Sequence, residues 1–95
     1  MDKLTPHTVI NNTPMTDNVR RQIEKYRKEY TSFHSLKSIE TDILSNINFT
    51  IEQRMRIIYE VAAYLFGVDD ADDALVRIVN YYNSESYAMG VMYGK

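Results

Sequence analysis

Asp69, Asp70, Asp72 and Asp73 stand on either side of Ala71, and this run of carboxylates is the first feature of the chain that could do chemistry. Carboxylate oxygens in such number suit calcium, but a calcium-binding loop needs ligands at alternate positions, a central Gly for its turn and a terminal Glu. None of those is here. The same residues read more simply as solvated charge at a helix start, where the dipole favours anions. His7 and His34 lie far apart with no helical pairing, so a metal site lacks its nitrogen ligands as well. Ser32 and Ser35 flank His34, but neighbours on one turn seldom aim at each other, and no nucleophile elbow surrounds them. With glycine only at positions 67, 90 and 94, no phosphate-cradling loop can form either. The residues point to a protein that is not an enzyme, and no metal or cofactor is expected.

Basic residues offer a second kind of chemistry. Arg20, Arg21, Lys25, Arg27 and Lys28 crowd one segment and could meet phosphates, although Glu24 and Glu29 dilute them and a solvated face explains them better. Arg54 is different, because it projects between apolar stripes close to the positive end of its helix. Such a cation needs a carboxylate, an anion, or an escape past the helix start into water. The escape is expected; if Arg54 is paired instead, it is the strongest single candidate for a charge facing a partner.

The element that positions Arg54 is also the plainest in the chain. In FTIEQRMRIIYEVAAYLFGV, residues 49–68, Thr50 and Gln53 have the spacing of a capping box, and Gly67 can take the left-handed conformation that closes a helix, with Val68 packing back over the last turn. Between these signals Ile51, Met55, Ile58, Ala62 and Leu65 form one stripe and Ile57, Val61 and Tyr64 a second. A helix this apolar must be covered from two sides. It is predicted to be the centre of the fold, at about 50–66.

Around it, Thr16 caps a first helix whose apolar positions are Val19, Ile23, Tyr26 and Tyr30. Thr31, Ser32 and Ser35 then compete for backbone hydrogen bonds and predict a break, with Phe33 plugging the corner. Leu36, Ile39, Ile43, Leu44 and Ile47 restore a helical period before Asn48. After Gly67, Asp69 or Asp70 caps a further helix that presents Ala71, Leu75, Ile78 and Tyr82, with Asp72 and Asp73 in its first turn. The predicted fold is all-α: a compact bundle of four to five short helices at roughly 17–31, 35–47, 50–66 and 70–83, with a fifth segment continuing or docking to about 93. Residues 1–15, which include Pro6 and Pro14, read as a flexible or surface-laid arm anchored by Leu4, Val9 and Ile10. Residues 16–95 then form a single helical domain.

Composition bounds the function without naming it. Across 95 residues, 44% hydrophobic and 25% charged content is that of a globular domain, and a net charge of −2 gives no general attraction to nucleic acid or an anionic membrane. With no Cys and no signal-like or membrane-length run, a cytoplasmic location is the expected default. Eight Tyr and five Met are types enriched where surfaces bind. Tyr87, Met89, Met92 and Tyr93 belong to a tail apolar nearly all round, which suggests burial against another chain.

These features predict a small protein–protein interaction module, a homo-oligomer that masks a surface on a target, in the manner of inhibitors and adaptors from phages and mobile elements. Its expected partner-facing residues are Arg54, Ile57, Tyr64, Tyr87, Met89, Met92 and Tyr93. The alternatives are a nucleic-acid-binding regulator using Arg20, Arg21, Lys25, Arg27 and Lys28, or an oligomeric binder of a nucleotide-like ligand. The short connection between the third and fourth helices suits a helix-turn-helix, but Asp69, Asp70, Asp72 and Asp73 would meet the phosphates.

Overall fold

The computed structural model describes residues 12–83, with side chains to residue 80. Four helices occupy them: α1 (Asp17–Glu29), α2 (Leu36–Leu44), α3 (Ile51–Phe66) and α4 (Val68–Asn83). The predicted arm is thus seen only at its end, where Thr13 is buried and Met15 packs on the core. The predicted anchors Leu4, Val9 and Ile10, and a fifth segment to about 93, lie outside the described residues.

Helix starts follow the capping chemistry. Thr16 Oγ1 accepts from the Val19 N–H at 3.3 Å, Ser35 Oγ from Ser38 N–H at 3.1 Å, and Thr50 Oγ1 from Gln53 N–H at 3.1 Å. Gln53 returns the bond by accepting from the Thr50 N–H at 2.9 Å, which completes the box. Helix ends depart further from the sequence reading. Tyr30 is already extended, so α1 stops at Glu29 rather than at residue 31. In α2 the Ser45 hydroxyl donates to Thr41 O at 2.8 Å, the Ser45 N–H bonds Asp42 O, and Asn46 Oδ1 accepts from Asn48 N–H. These local bonds replace the next helical turn and end α2 at Leu44, three residues short of 47.

At Gly67 the corner differs in kind from the predicted left-handed cap. Its φ of 104 and ψ of 162 lie in a region open essentially to glycine alone. The Gly67 N–H still closes α3 on Ala63 O, while Gly67 O accepts from Ala71 N–H and opens α4. One residue therefore ends one helix and begins the next. Val68 starts α4 instead of folding back, and is exposed; Asp69 and Asp70 occupy the first turn rather than the cap.

Among the described residues, the backbones of α1, α2 and α4 each approach α3 and not one another. The core contains Val19, Ile23 and Tyr26 from α1, Ile39 and Ile43 from α2, and Leu75, Ile78 and Val79 from α4. All surround Met55, Ile57, Ile58 and Val61 of α3. Ala71 and Ala74 are also fully buried, and their small side chains let α4 lie close against α3. Both apolar stripes of α3 are thereby used. No described helix is long and apolar enough to cross a membrane.

Candidate interaction surface

Arg54 does not escape into water, and among the described residues it meets no carboxylate. Its Nε donates to Phe49 O at 2.9 Å and its Nη1 to Leu44 O at 3.1 Å. Leu44 ends α2, so the guanidinium satisfies a carbonyl that the helix leaves open and ties the α2–α3 loop to the first turn of α3. This correction has a simple cause. A half-buried cation at a helix start is opposed by the dipole of its own helix, and a neighbouring helix C-terminus carries the opposite sign.

Ile57 also turns inward. It is 0% exposed in the core, so the chain itself covers it and leaves no surface there for a second molecule. Tyr64, from the same predicted stripe, is 65% exposed.

Exposed as it is, Tyr64 is held in place. The Arg27 guanidinium carbon lies 4.8 Å from the ring centroid, within cation–π range. Arg27 Nη2 in turn donates to Glu60 O at 3.3 Å and stands 3.9 Å from a Glu60 carboxylate oxygen, while Arg56 Nε donates to Glu60 Oε2 at 3.1 Å. Glu60 therefore draws one arginine from α1 and one from its own helix around a single carboxylate. Arg27, expected in the basic face of α1, is diverted into this clasp.

The remaining members of that face separate as well. Arg20 lies 3.7 Å from Asp17, and Lys25 lies 3.9 Å from Glu29, both exposed. Arg21 bonds Asn18 Oδ1 at 3.2 Å, and Lys28 is exposed. Arg21 and Lys25 also line a groove of about 320 Å³ between α1 and the loop entering α3. A second groove, about 570 Å³, runs between α2 and α4 beside the ion pair of buried Glu40 with Arg77.

Two apolar side chains expected to pack are out in solvent. Phe33, expected to plug the corner, is 97% exposed, and Ile47, expected on the second helix, is 86% exposed. The corner is filled instead by Tyr26 stacked on Tyr30 at 5.7 Å and His34 set edge-on to Tyr30 at 5.3 Å. His34 Nδ1 accepts from the Thr31 N–H at 3.0 Å, and the Tyr30 hydroxyl donates to Asp42. His34 is thus a turn residue. A signal for Ile47 was available in its neighbours: Asn46 and Asn48 favour a turn, which breaks the helical period.

Among the described residues one group has a displaced titration. Burial, chiefly, and the carboxylates of Asp72 and Glu60 push the Tyr59 phenol above its ordinary value of 10.0; a hydrogen bond to Asp72 adds to the effect, and Arg56 opposes it. The phenol thus stays a neutral donor and joins α3 to α4.

Among the described residues no three His, Cys, Asp or Glu side chains are grouped to hold a metal ion. Tyr87, Met89, Met92 and Tyr93 lie outside the described residues. Comparison with protein-family models, with curated proteins and with solved structures finds no match.

Proposed function

We propose that this chain is a non-catalytic protein–protein interaction module whose contact surface is centred on Tyr64. One observation carries the reading: an aromatic side chain 65% exposed on an otherwise buried stripe is held by Arg27, which Glu60 holds in turn. Tyr and Arg are among the side chains that most often dominate interface energetics, and an exposed ring already fixed in place by a half-buried arginine loses less conformational freedom on binding. Phe33 and Ile47 supply further apolar contact points at the two ends of α2. The module acts by masking a surface on its target as an inhibitor or adaptor, and Tyr87, Met89, Met92 and Tyr93 join copies of the chain into a small oligomer. Reading of duplex DNA by α4 is disfavoured, because Asp69, Asp70, Asp72 and Asp73 are exposed at its start and would repel phosphates.

The test places a photo-crosslinking phenylalanine analogue at Tyr64, and separately at exposed Glu24 on α1, in cells that naturally make the protein. Discrete adducts from position 64 and none from 24 are expected. Equal adducts from both positions, or none from 64, would remove Tyr64 as the centre. For the assembly, sedimentation should give a mass above the monomer that collapses on truncation after Ser86; a monomeric full chain excludes the oligomer.

A further inference from the structure

The seam between α1 and the entry to α3 opens into a polar groove beside the apolar contacts of the core. Asn18, Arg21, Gln22 and Lys25 recur at steps of three, one and three along α1, on a stripe beside the buried Val19, Ile23 and Tyr26. Facing them across the groove are Asn48 and Phe49 from the loop that enters α3. The lining thus contains two cations, three side-chain amides and one aromatic ring. It contains no carboxylate, in a chain where Asp and Glu number 13 and Lys and Arg 11. Among the described residues Arg21 has no acidic partner, and its guanidinium is engaged only by Asn18 Oδ1 and Asp17 O. Lys25 is drawn to Glu29 at 3.9 Å, an exposed pair that a competing anion can displace. The side-chain amides of Gln22 and Asn48 make no hydrogen bond to another described residue, so their donors and acceptors remain available.

We infer that this groove binds a nucleoside phosphate, either a free nucleotide or an exposed nucleotide of a single strand. Cations four residues apart on one helix face can share the oxygens of one phosphate, with Arg21 offering a planar fork and Lys25 a point charge. Amides that both donate and accept match the edges of a nucleobase, and the accessible part of Phe49 provides a surface for its ring. A volume of about 320 Å³ lies at the small end of ligand sites and limits the occupant to about one nucleotide. The inference is independent of Tyr64, which lies on the clasp with Arg27, and it reduces the basic face of α1 to Arg21 and Lys25. Arg27 is taken by Glu60, and Arg20 and Lys28 do not line the groove.

The test is amide-resolved NMR titration of the full chain with AMP, with a short oligothymidylate and with inorganic phosphate. Two double variants serve as comparison: R21A/K25A at the groove and R20A/K37A with the same loss of charge elsewhere, both checked for helical content by circular dichroism. AMP or the oligonucleotide is expected to move the Gln22, Asn48 and Phe49 amides. Binding should weaken at least about tenfold in R21A/K25A and stay within about twofold in R20A/K37A. Saturation by AMP assigns a free nucleotide; a response to the oligonucleotide alone assigns a strand, with a salt slope of about −0.7 for one neutralised phosphate. Equal weakening in both double variants would reduce the effect to general charge attraction and overturn the inference. So would silence of those amides toward AMP and the oligonucleotide, or inorganic phosphate binding as tightly as AMP.

Discussion

The two flanks of α3 are closed by different means. On the α4 side the seam is mainly apolar, with Ala71, Ala74, Leu75 and Val79 buried, one polar tie from Tyr59 to Asp72, and one glycine turning the chain between the helices. On the side of α1 and α2 the apolar contacts are bordered by polar ties: Arg27 to Glu60, Arg54 to Leu44 O and Phe49 O, and Asn46 Nδ2 donating to the Tyr26 hydroxyl at 3.1 Å. The first flank has its strength in burial and presents little to recognise. The second exposes ordered polar and aromatic groups, among them Tyr64, and so combines stability with a surface that can discriminate between partners.

The sharpest way to break this comparison is to open the apolar flank. Leu75→Ala should cost about 2–5 kcal/mol, because its surroundings are already close-packed and a cavity would remain. Equilibrium denaturation measures it, and a cost below about 1 kcal/mol would show the seam to be looser than its burial implies. Gly67→Ala comes next, at about 1–3 kcal/mol. An added Cβ would touch nothing within 4 Å, so any loss comes from the backbone at φ 104 rather than from a clash.

On the polar flank, Arg54→Ala should cost about 1–3 kcal/mol by freeing two part-buried carbonyls, and Arg54→Lys should restore only part of it since one ammonium does not reproduce the fork. If Arg54 also serves a partner, Arg54→Ala will weaken binding more than Arg56→Ala when compared at temperatures where both variants are folded. Equal effects would limit Arg54 to its internal role. The smallest effect concerns pH. A native Tyr59 phenol that holds its proton above 10.0 gives the folded chain more bound protons than the unfolded chain at higher pH, so its stabilising contribution is present below that value and lost as pH rises through the raised one. Tyr59→Phe should therefore flatten the alkaline limb of stability against pH, and an unchanged limb would remove Tyr59 as its source.

Sequence reading succeeded where a local bond decides the outcome. Thr16 and the Thr50–Gln53 box mark helix starts through contacts within three residues, and the stripes of α3 follow from period alone. It failed where a side chain chooses between neighbours far along the chain. Arg27 could have stayed on the basic face, but Glu60 and Tyr64, brought close only by the docking of α1 on α3, offered a carbonyl, a carboxylate and a ring. Arg54 was anticipated as an anomaly without its solution, because Leu44 O becomes available only when α2 ends early. Ile47 is exposed for a related reason: apolar spacing continues to it, while serine and asparagine side chains end the helix that would have buried it. At the corner before α2 the rings of Tyr26, Tyr30 and His34 pack together and Phe33 is left in solvent.

Because α1, α2 and α4 share α3 as support and do not lean on one another through their backbones, the domain need not loosen as a whole. A helix on one flank can detach for a moment while the pair joined at Gly67 persists. Amide protons of α1 would then exchange through such partial openings, whereas those at the centre of α3 would wait for global unfolding.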